Sequence, residues 1–497
     1  MENPAYQKLV ALSEELQLLS DVAGLLSWDQ EVNMAKKGVA YRAKQMAWFS
    51  GETHKKFTDP QVGDWISECE ADSAIIEPGS DAAANLREWR HSYDSETKLP
   101  SELVTEFAAT CALAHESWAE ARGKSDFSHF APHLEKLIGL CKQRVECCGY
   151  DDKPYDALLD KYERGSTTAE ITSVFADLKR DLIPIVDEAC AQEPFDPVKN
   201  GAEYSIASQV AFNREIAEAI GFDFDAGRID TAVHPFCTGL GPMDTRLTTR
   251  YMTSDFRSSL FGVLHETGHG LYDQGLREAV YGQPVGDSVS LGVHESQSRL
   301  WENQVGRSAE FWEQWLPRAA HYFPNLSSLS VEEMTRACNQ AERSFIRVEA
   351  DEVTYDLHIM VRFEMESAIF NDDLAVADIP AEWNRRMKEM FGLDVDKDAN
   401  GCLQDIHWSM GGFGYFPTYS LGNLNASHLF KAAKEQDSSI EAGFKNGDYS
   451  GLLNWMREKI HQPGSFYLPK DLVERAAGSP VNAEAHLAHL RSRYIFG

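Results

Sequence analysis

Apolar positions recur at helical spacing through most of this chain. Leu9, Leu12, Leu16 and Leu19 are separated by three, four and three residues, which lines them along one face and predicts a helix starting soon after Pro4. Further helical patterns run from Ala82 to Tyr93, Leu103 to Arg122, His133 to Cys148 and Ala169 to Ala191. Breaks at Pro78-Gly79, Gly149 to Pro154 and Pro194 to Gly201 divide these helices without resembling long flexible linkers. Between Gly221 and Tyr251 the period shortens. Ile229-Asp-Thr-Ala-Val-His-Pro-Phe and Asp244-Thr-Arg-Leu-Thr-Thr-Arg-Tyr alternate polar and apolar residues between Gly and Pro turns, predicting a small antiparallel sheet or hairpin. A second long helical half follows, interrupted by the glycine-rich segment Gly401 to Gly422. The pattern is that of a mainly α protein with one small β region, at about 221–251.

Length alone allows several domains in 497 residues, but one enzyme body with two lobes fits equally well, because a cleft can divide a single core. A composition of 43% hydrophobic and 25% charged residues excludes a disordered or fibrous chain. Lys and Arg number 47 against 78 Asp and Glu, a formal net charge of -31. Such a surface repels nucleic acid and anionic lipid; it serves solubility, or draws cationic peptides toward a cleft. No run reaches the roughly 20 apolar residues that cross a bilayer. The opening Met1 to Lys8 lacks a basic segment leading into an apolar stretch, and the nine cysteines are scattered without zinc-finger spacing. A cytoplasmic protein with reduced thiols is the expectation.

His265-Glu266-Thr267-Gly268-His269 is the strongest local chemical signal. On a helix its two histidines differ by about 40° in azimuth, so both imidazoles can reach one ion. Glu266 is turned roughly 100° from His265, beside the ion instead of on it, where it can deprotonate the water that the ion activates. Leu260, Phe261 and Leu264 supply an apolar face to anchor this helix. The competing reading is two histidines satisfied by ordinary hydrogen bonds. A third ligand weakens that reading, and Glu295 in His294-Glu295-Ser296-Gln297 offers one. It lies 26 residues after His269, room for the chain to turn through Gly282-Pro284-Gly286 and return on another helix. Glu302 and Glu266 are rival carboxylates, and Glu295 can instead pair with Arg299 at four-residue spacing. The metal-site helices are expected at about 257–310.

Several separated motifs resemble the carboxypeptidase Taq family of metallocarboxypeptidases: His234-Pro235-Phe236, Asp244-Thr-Arg246-Leu-Thr248, His265 to His269, His294 to Gln297, Ile346-Arg347-Val-Glu-Ala350-Asp351, and Gly401-Cys-Leu-Gln404-Asp405-Ile-His407-Trp408. Trp28-Asp29-Gln30 and Gly414-Tyr415-Phe416-Pro417-Thr418-Tyr419 extend the likeness across most of the chain. One departure is Ala35, after Met34, where relatives commonly have proline.

The resemblance implies a two-lobed, neurolysin-like helical peptidase body spanning 1–497, with a deep central cleft. It implies a homodimer that removes single residues of many kinds from peptide C-termini. It also implies one divalent ion per subunit, zinc by default and cobalt as a substitute, held by His265, His269 and Glu295, with Glu266 as general base and proton shuttle. Arg347 is then the candidate to grip the substrate's C-terminal carboxylate through two parallel hydrogen bonds, unless it is occupied by Glu349, Asp351 or Glu352. His407 and either Tyr419 or Tyr415 are candidates to donate to the carbonyl oxygen as charge develops, against a role in packing the Pro417 loop. His234 and Arg246 are candidates to shape the subsites, or are structural. A carboxydipeptidase or oligoendopeptidase on the same scaffold is the nearest alternative activity. A peptide-binding protein with a defunct metal site is disfavoured, because histidines, base and third ligand are all retained.

Overall fold

The structure, a computed structural model, describes residues 3–199 and 201–495. The chain divides into two compact units. One comprises Met1–Glu96, Phe195–Cys338 and Asn425–Val481; the other comprises Thr97–Pro194, Asn339–Leu424 and Asn482–Gly497. Each is assembled from three separated stretches, so no point in the sequence is a domain boundary in the ordinary sense.

The first helix, Pro4–Val32, starts where its cap dictates. The Asn3 side chain accepts from the Ala5 and Tyr6 N–H groups, and Pro4 occupies the first turn, where its missing N–H costs nothing. Leu9 is buried in a small core with Ile66 and Trp89, while Leu12, Leu16 and Leu19 are half-buried. The other patterned segments form Asp81–Thr97, Ser101–Lys124, Phe127–Cys148 and Thr168–Cys190. The observed helices begin before the apolar stripes because capping residues lie outside them: Asp126 caps the third, and Thr167 with Glu170 forms a capping box on the fourth. Ala35 has φ −63° and ψ 133°, a conformation proline also adopts, so the departure from the family pattern leaves that turn intact.

The β region is a three-stranded sheet of β1 (Gly227–Thr231), β2 (Cys237–Gly239) and β3 (Thr245–Thr249), in the order β1-β3-β2. β2 and β3 form the expected antiparallel pair, but β1 runs parallel to β3, with Gly227 opposite Thr245. The sheet is therefore mixed, which corrects the all-antiparallel expectation. Alternation identifies a strand and its faces but carries no information on partner direction. Here β3 slots between the other two, and Gly227 makes the approach possible: a Cβ there would sit 2.4 Å from the Thr245 carbonyl oxygen. No described helix is long and apolar enough to cross a membrane.

The main core of the first unit surrounds the Phe256–Asp273 helix. Asp255 caps it, and Phe256, Leu260 and Leu264 are buried among Phe212, Trp312 and Phe323. Each such side chain contributes about 1.5–3 kcal/mol by leaving water, so this helix is among the best anchored in the chain. The sheet packs against it at two glycines. A Cβ on Gly270 would lie 3.0 Å from Leu247 Cδ2, and one on Gly262 would lie 3.4 Å from Thr249 Oγ1.

Candidate active site

The Phe256–Asp273 helix carries His265, Glu266 and His269, and the Leu291–Arg299 helix, capped by Ser290, carries Glu295. The two helices cross in direct backbone contact at Gly268. A Cβ there would lie 2.4 Å from the Gln297 oxygen and 2.6 Å from the Ser298 Cα, so only glycine permits the crossing. Glu295 is brought up to the imidazoles as a result: its Oε2 is 3.8 Å from His265 Nε2 and 3.5 Å from His269 Nε2. Among the described residues, His265, His269 and Glu295 form the single group able to share an ion, with all ligand atoms within 4.8 Å of one another.

The donor set fits a tetrahedral divalent ion. Ligand distances near 2.0–2.2 Å place tetrahedral donors about 3.4 Å apart, close to the spacing seen, and three protein ligands leave one position open. The far side of each imidazole is also prepared. His265 Nδ1 donates to Glu302 Oε2 at 2.9 Å, which leaves Nε2 as the nitrogen turned toward Glu295. His269 Nδ1 meets His294 Nδ1 at 2.5 Å, and His294 Nε2 is 3.2 Å from Asp273 Oδ1. With Nε2 of His269 reserved for an ion, its Nδ1–H donates to His294, whose Nε2–H donates to Asp273.

The two readings of Glu295 do not exclude one another, because a carboxylate has two oxygens. Oε1 accepts from Arg299 Nε at 2.7 Å while Oε2 faces the histidines. The rival carboxylate Glu302 stands outside that group as the partner of His265, and Arg307 holds its other oxygen at 3.0 Å. It lies in a π-helical turn, Leu300–Val305, a device that re-aims side chains at functional sites. His294, Asp273 and Arg307 had no assigned role in the sequence. Asp273 stands four residues after His269 but meets His294 instead, so helical spacing alone does not assign it.

Burial sets the electrostatics. It pushes the Glu266 carboxyl up to about 7 despite nearby His265, so the group exchanges a proton near neutrality. Burial also disfavours a charged His269, which falls to about 4. Burial opposes the charge on His265 too, but Glu295 and Glu302 prevail and raise it to about 8. Glu295 is held far below the usual carboxylate range: Arg299 and the imidazoles outweigh its burial. Protons and a cation therefore compete for the same donors.

The tightness of the crossing gives a prediction. Gly268→Ala is expected to lower stability by about 1–3 kcal/mol through overpacking. It is also expected to weaken metal binding, since the Glu295 helix must move away. Titrating the metal-stripped variant with zinc checks this; an unchanged affinity would show that the crossing does not set the ligand position.

The second unit holds Arg347, His407, Tyr415 and Tyr419. Arg347 is buried on a short 3₁₀ turn, and among the described residues its ion pair is with Asp405, not with Glu349, Asp351 or Glu352. Asp351 instead caps the Glu352–Asn371 helix, and Glu352 pairs with His489. The carboxylate partner of Arg347 is Asp405, which accepts from Nε at 3.0 Å and NH2 at 2.9 Å, while NH1 donates to the Tyr355 hydroxyl at 2.8 Å. Arg362 binds the other Asp405 oxygen and Gln404. Two guanidiniums thus share one carboxylate in a buried group.

His407 Nε2 lies 3.5 Å from the Tyr419 hydroxyl, and the Tyr415 ring packs 5.2 Å from the His407 ring. Burial drives His407 down to about 4, so it is a neutral imidazole at pH 7, and its Nδ1 is buried without a partner among the described residues. His234 and Arg246 belong to the first unit. His234 is exposed between β1 and β2, and Arg246 pairs with Asp244 and lies 4.3 Å over the Trp28 ring.

The profile of the carboxypeptidase Taq (M32) metallopeptidase family matches residues 8–494. This chain belongs to that family. It is 41% identical to thermostable carboxypeptidase 1 of Thermus thermophilus, covering 99% of this chain and 98% of that one. It is 35% identical to carboxypeptidase 1 of Bacillus subtilis, covering 99% of each. Among solved structures, the M32 carboxypeptidase from Deinococcus radiodurans superposes with a TM-score of 0.94 at 35% identity, covering 99% of this chain and 98% of that one. Family membership makes the protein a metallocarboxypeptidase, a hydrolase that acts on peptides with a divalent metal ion. The mainly helical fold with one small sheet is likewise the family's.

Proposed function

We propose that the protein releases single amino acids from the free C-termini of peptides, with broad side-chain tolerance, using one ion, zinc in the first place and cobalt as a substitute. The observation that carries the cut position is the buried pairing of Arg347 and Arg362 with one carboxylate, Asp405. Arg347 has five N–H groups, and Asp405 and Tyr355 engage three of them. The remaining two, and the uncompensated positive charge, suit a second carboxylate, which the last residue of a peptide supplies.

The ion held by His265, His269 and Glu295 supplies Lewis acidity and an acidified water when bound. Glu266, not a ligand, takes a proton from the attacking water and delivers it to the departing amine. His407, neutral, and Tyr419 donate to the carbonyl oxygen as it gains charge; the hydroxyl contact with His407 favours Tyr419 over Tyr415. His234 and Arg246 border the subsites of the metal-binding unit. The protein works in the cytoplasm as a homodimer.

One peptide supplied with a free and with an amidated C-terminus tests this reading. Stepwise loss of single residues from the free form alone, abolished by chelation and restored by zinc, is the expected result. Equal cleavage of both forms, or release of dipeptides, would overturn it in favour of an endopeptidase or carboxydipeptidase.

A further inference from the structure

Glu366 is fully buried and belongs to none of the motifs above. Its carboxylate collects three hydrogen bonds: Trp408 Nε1–H donates to Oε1 at 2.7 Å, and both the Gly414 N–H, at 2.8 Å, and the Tyr155 hydroxyl, at 2.5 Å, donate to Oε2. Trp408 directly follows His407, and Gly414 directly precedes Tyr415. One carboxylate therefore ties together both ends of the loop that separates these two residues. The loop is also shaped at its glycines. Gly414 has φ +89°, and a Cβ on it would meet the Leu158 oxygen at 2.4 Å. The Gly412 N–H closes back on the His407 carbonyl at 2.8 Å.

One turn earlier on the same helix stands Arg362, which holds Asp405 and Gln404. These in turn hold Arg347: Asp405 through its guanidinium, Gln404 through its backbone N–H at 2.9 Å. Four residues of helix separate the two attachments by about 6 Å along the axis. We infer that the Glu352–Asn371 helix is a ruler: Arg362 fixes the group that holds the substrate's terminal carboxylate, and Glu366 is the positioning residue that fixes the His407 loop against it. This deepens the function proposed above and rests on its reading of Arg347 and His407. The carboxylate form suits the role, because an indole N–H and an amide N–H can only donate. Glutamine retains one acceptor oxygen but sets an N–H group against one of these donors.

The experiment compares Glu366→Gln, Tyr155→Phe and His407→Ala with the wild type on one free-C-terminus peptide, after metal content and thermal unfolding show each to be loaded and folded. Glu366→Gln is expected to lower kcat by about 10- to 100-fold, the scale of a small misplacement of reacting groups, with KM within about twofold of the wild type. Tyr155→Phe, which removes one donor and keeps the ring packed on Phe363 and Phe370, is expected to fall between the two. A reduced kcat in His407→Ala alongside an unchanged kcat in the other two overturns the ruler and leaves the proposed function standing. Full activity of His407→Ala overturns the reading of the loop itself. Should Glu366→Gln fail to fold, Tyr155→Phe decides: a wild-type kcat rejects the inference, and a lowered kcat at constant KM supports it.

Discussion

Glu266→Gln is expected to retain one divalent ion per chain while kcat falls by about 100- to 10,000-fold, the usual contribution of a positioned general base. The three residues whose donor atoms converge are His265, His269 and Glu295, and Glu266 is not among them. Glutamine has nearly the same volume in this buried position, so the helix and its two histidines stay where the core puts them. What is lost is the group that accepts a proton near neutrality, which burial prepares by raising the carboxyl to about 7. Metal analysis and steady-state kinetics on the same preparation check both halves. Loss of the ion would make Glu266 a ligand; activity within tenfold of the wild type would remove it as the base.

Arg347→Ala carries the second large effect, and it is selective. For peptides with a free C-terminus, kcat/KM is expected to drop by about 100- to 1,000-fold, equivalent to about 3–4 kcal/mol for two charge-assisted hydrogen bonds. An amidated peptide lacks the group that Arg347 is proposed to hold, so any residual cleavage of it is expected to be unchanged. The fold is expected to persist because Asp405 keeps its bond to Arg362. Arg347→Lys returns the charge without the planar fork and is expected to recover only part of the loss. Equal losses on free and amidated peptides would show that Arg347 serves the structure and not the terminal carboxylate.

How far the site was legible depended on whether its logic was local. Two imidazoles four residues apart on an apolar-faced helix need only helical periodicity to share a direction, and His265 and His269 show it. Glu295 was suggested by position and chemistry, but its approach depends on Gly268, whose importance is invisible until the Gln297 backbone is seen against it. The pairing with Arg299 and the approach to the histidines looked like alternatives in the sequence; in space they occupy different oxygens. Arg347 shows the opposite case. The acidic residues nearest in sequence were natural partners to suspect, yet the one it meets is Asp405, 58 residues on. Sequence proximity has little authority once a side chain is buried, because each buried charge is matched by whatever the packed elements bring to it.

The amino-acid sequence by itself determined the helices, since a stripe of leucines or a capping Asn, Asp or Thr acts within a few residues of itself. It also determined the chemistry on offer: two imidazoles, carboxylates and a guanidinium. Tertiary structure alone decided the strand direction in the small sheet and the assembly of each unit from three distant stretches. It also decided the supports behind the candidate groups: Glu302 and His294 on the histidines, Asp405 on Arg347, Glu366 on the His407 loop. The division has a physical cause. Helix propensity and capping are short-range, whereas a buried polar group is stable only where distant segments supply its partner, and that condition is met by the packed chain as a whole.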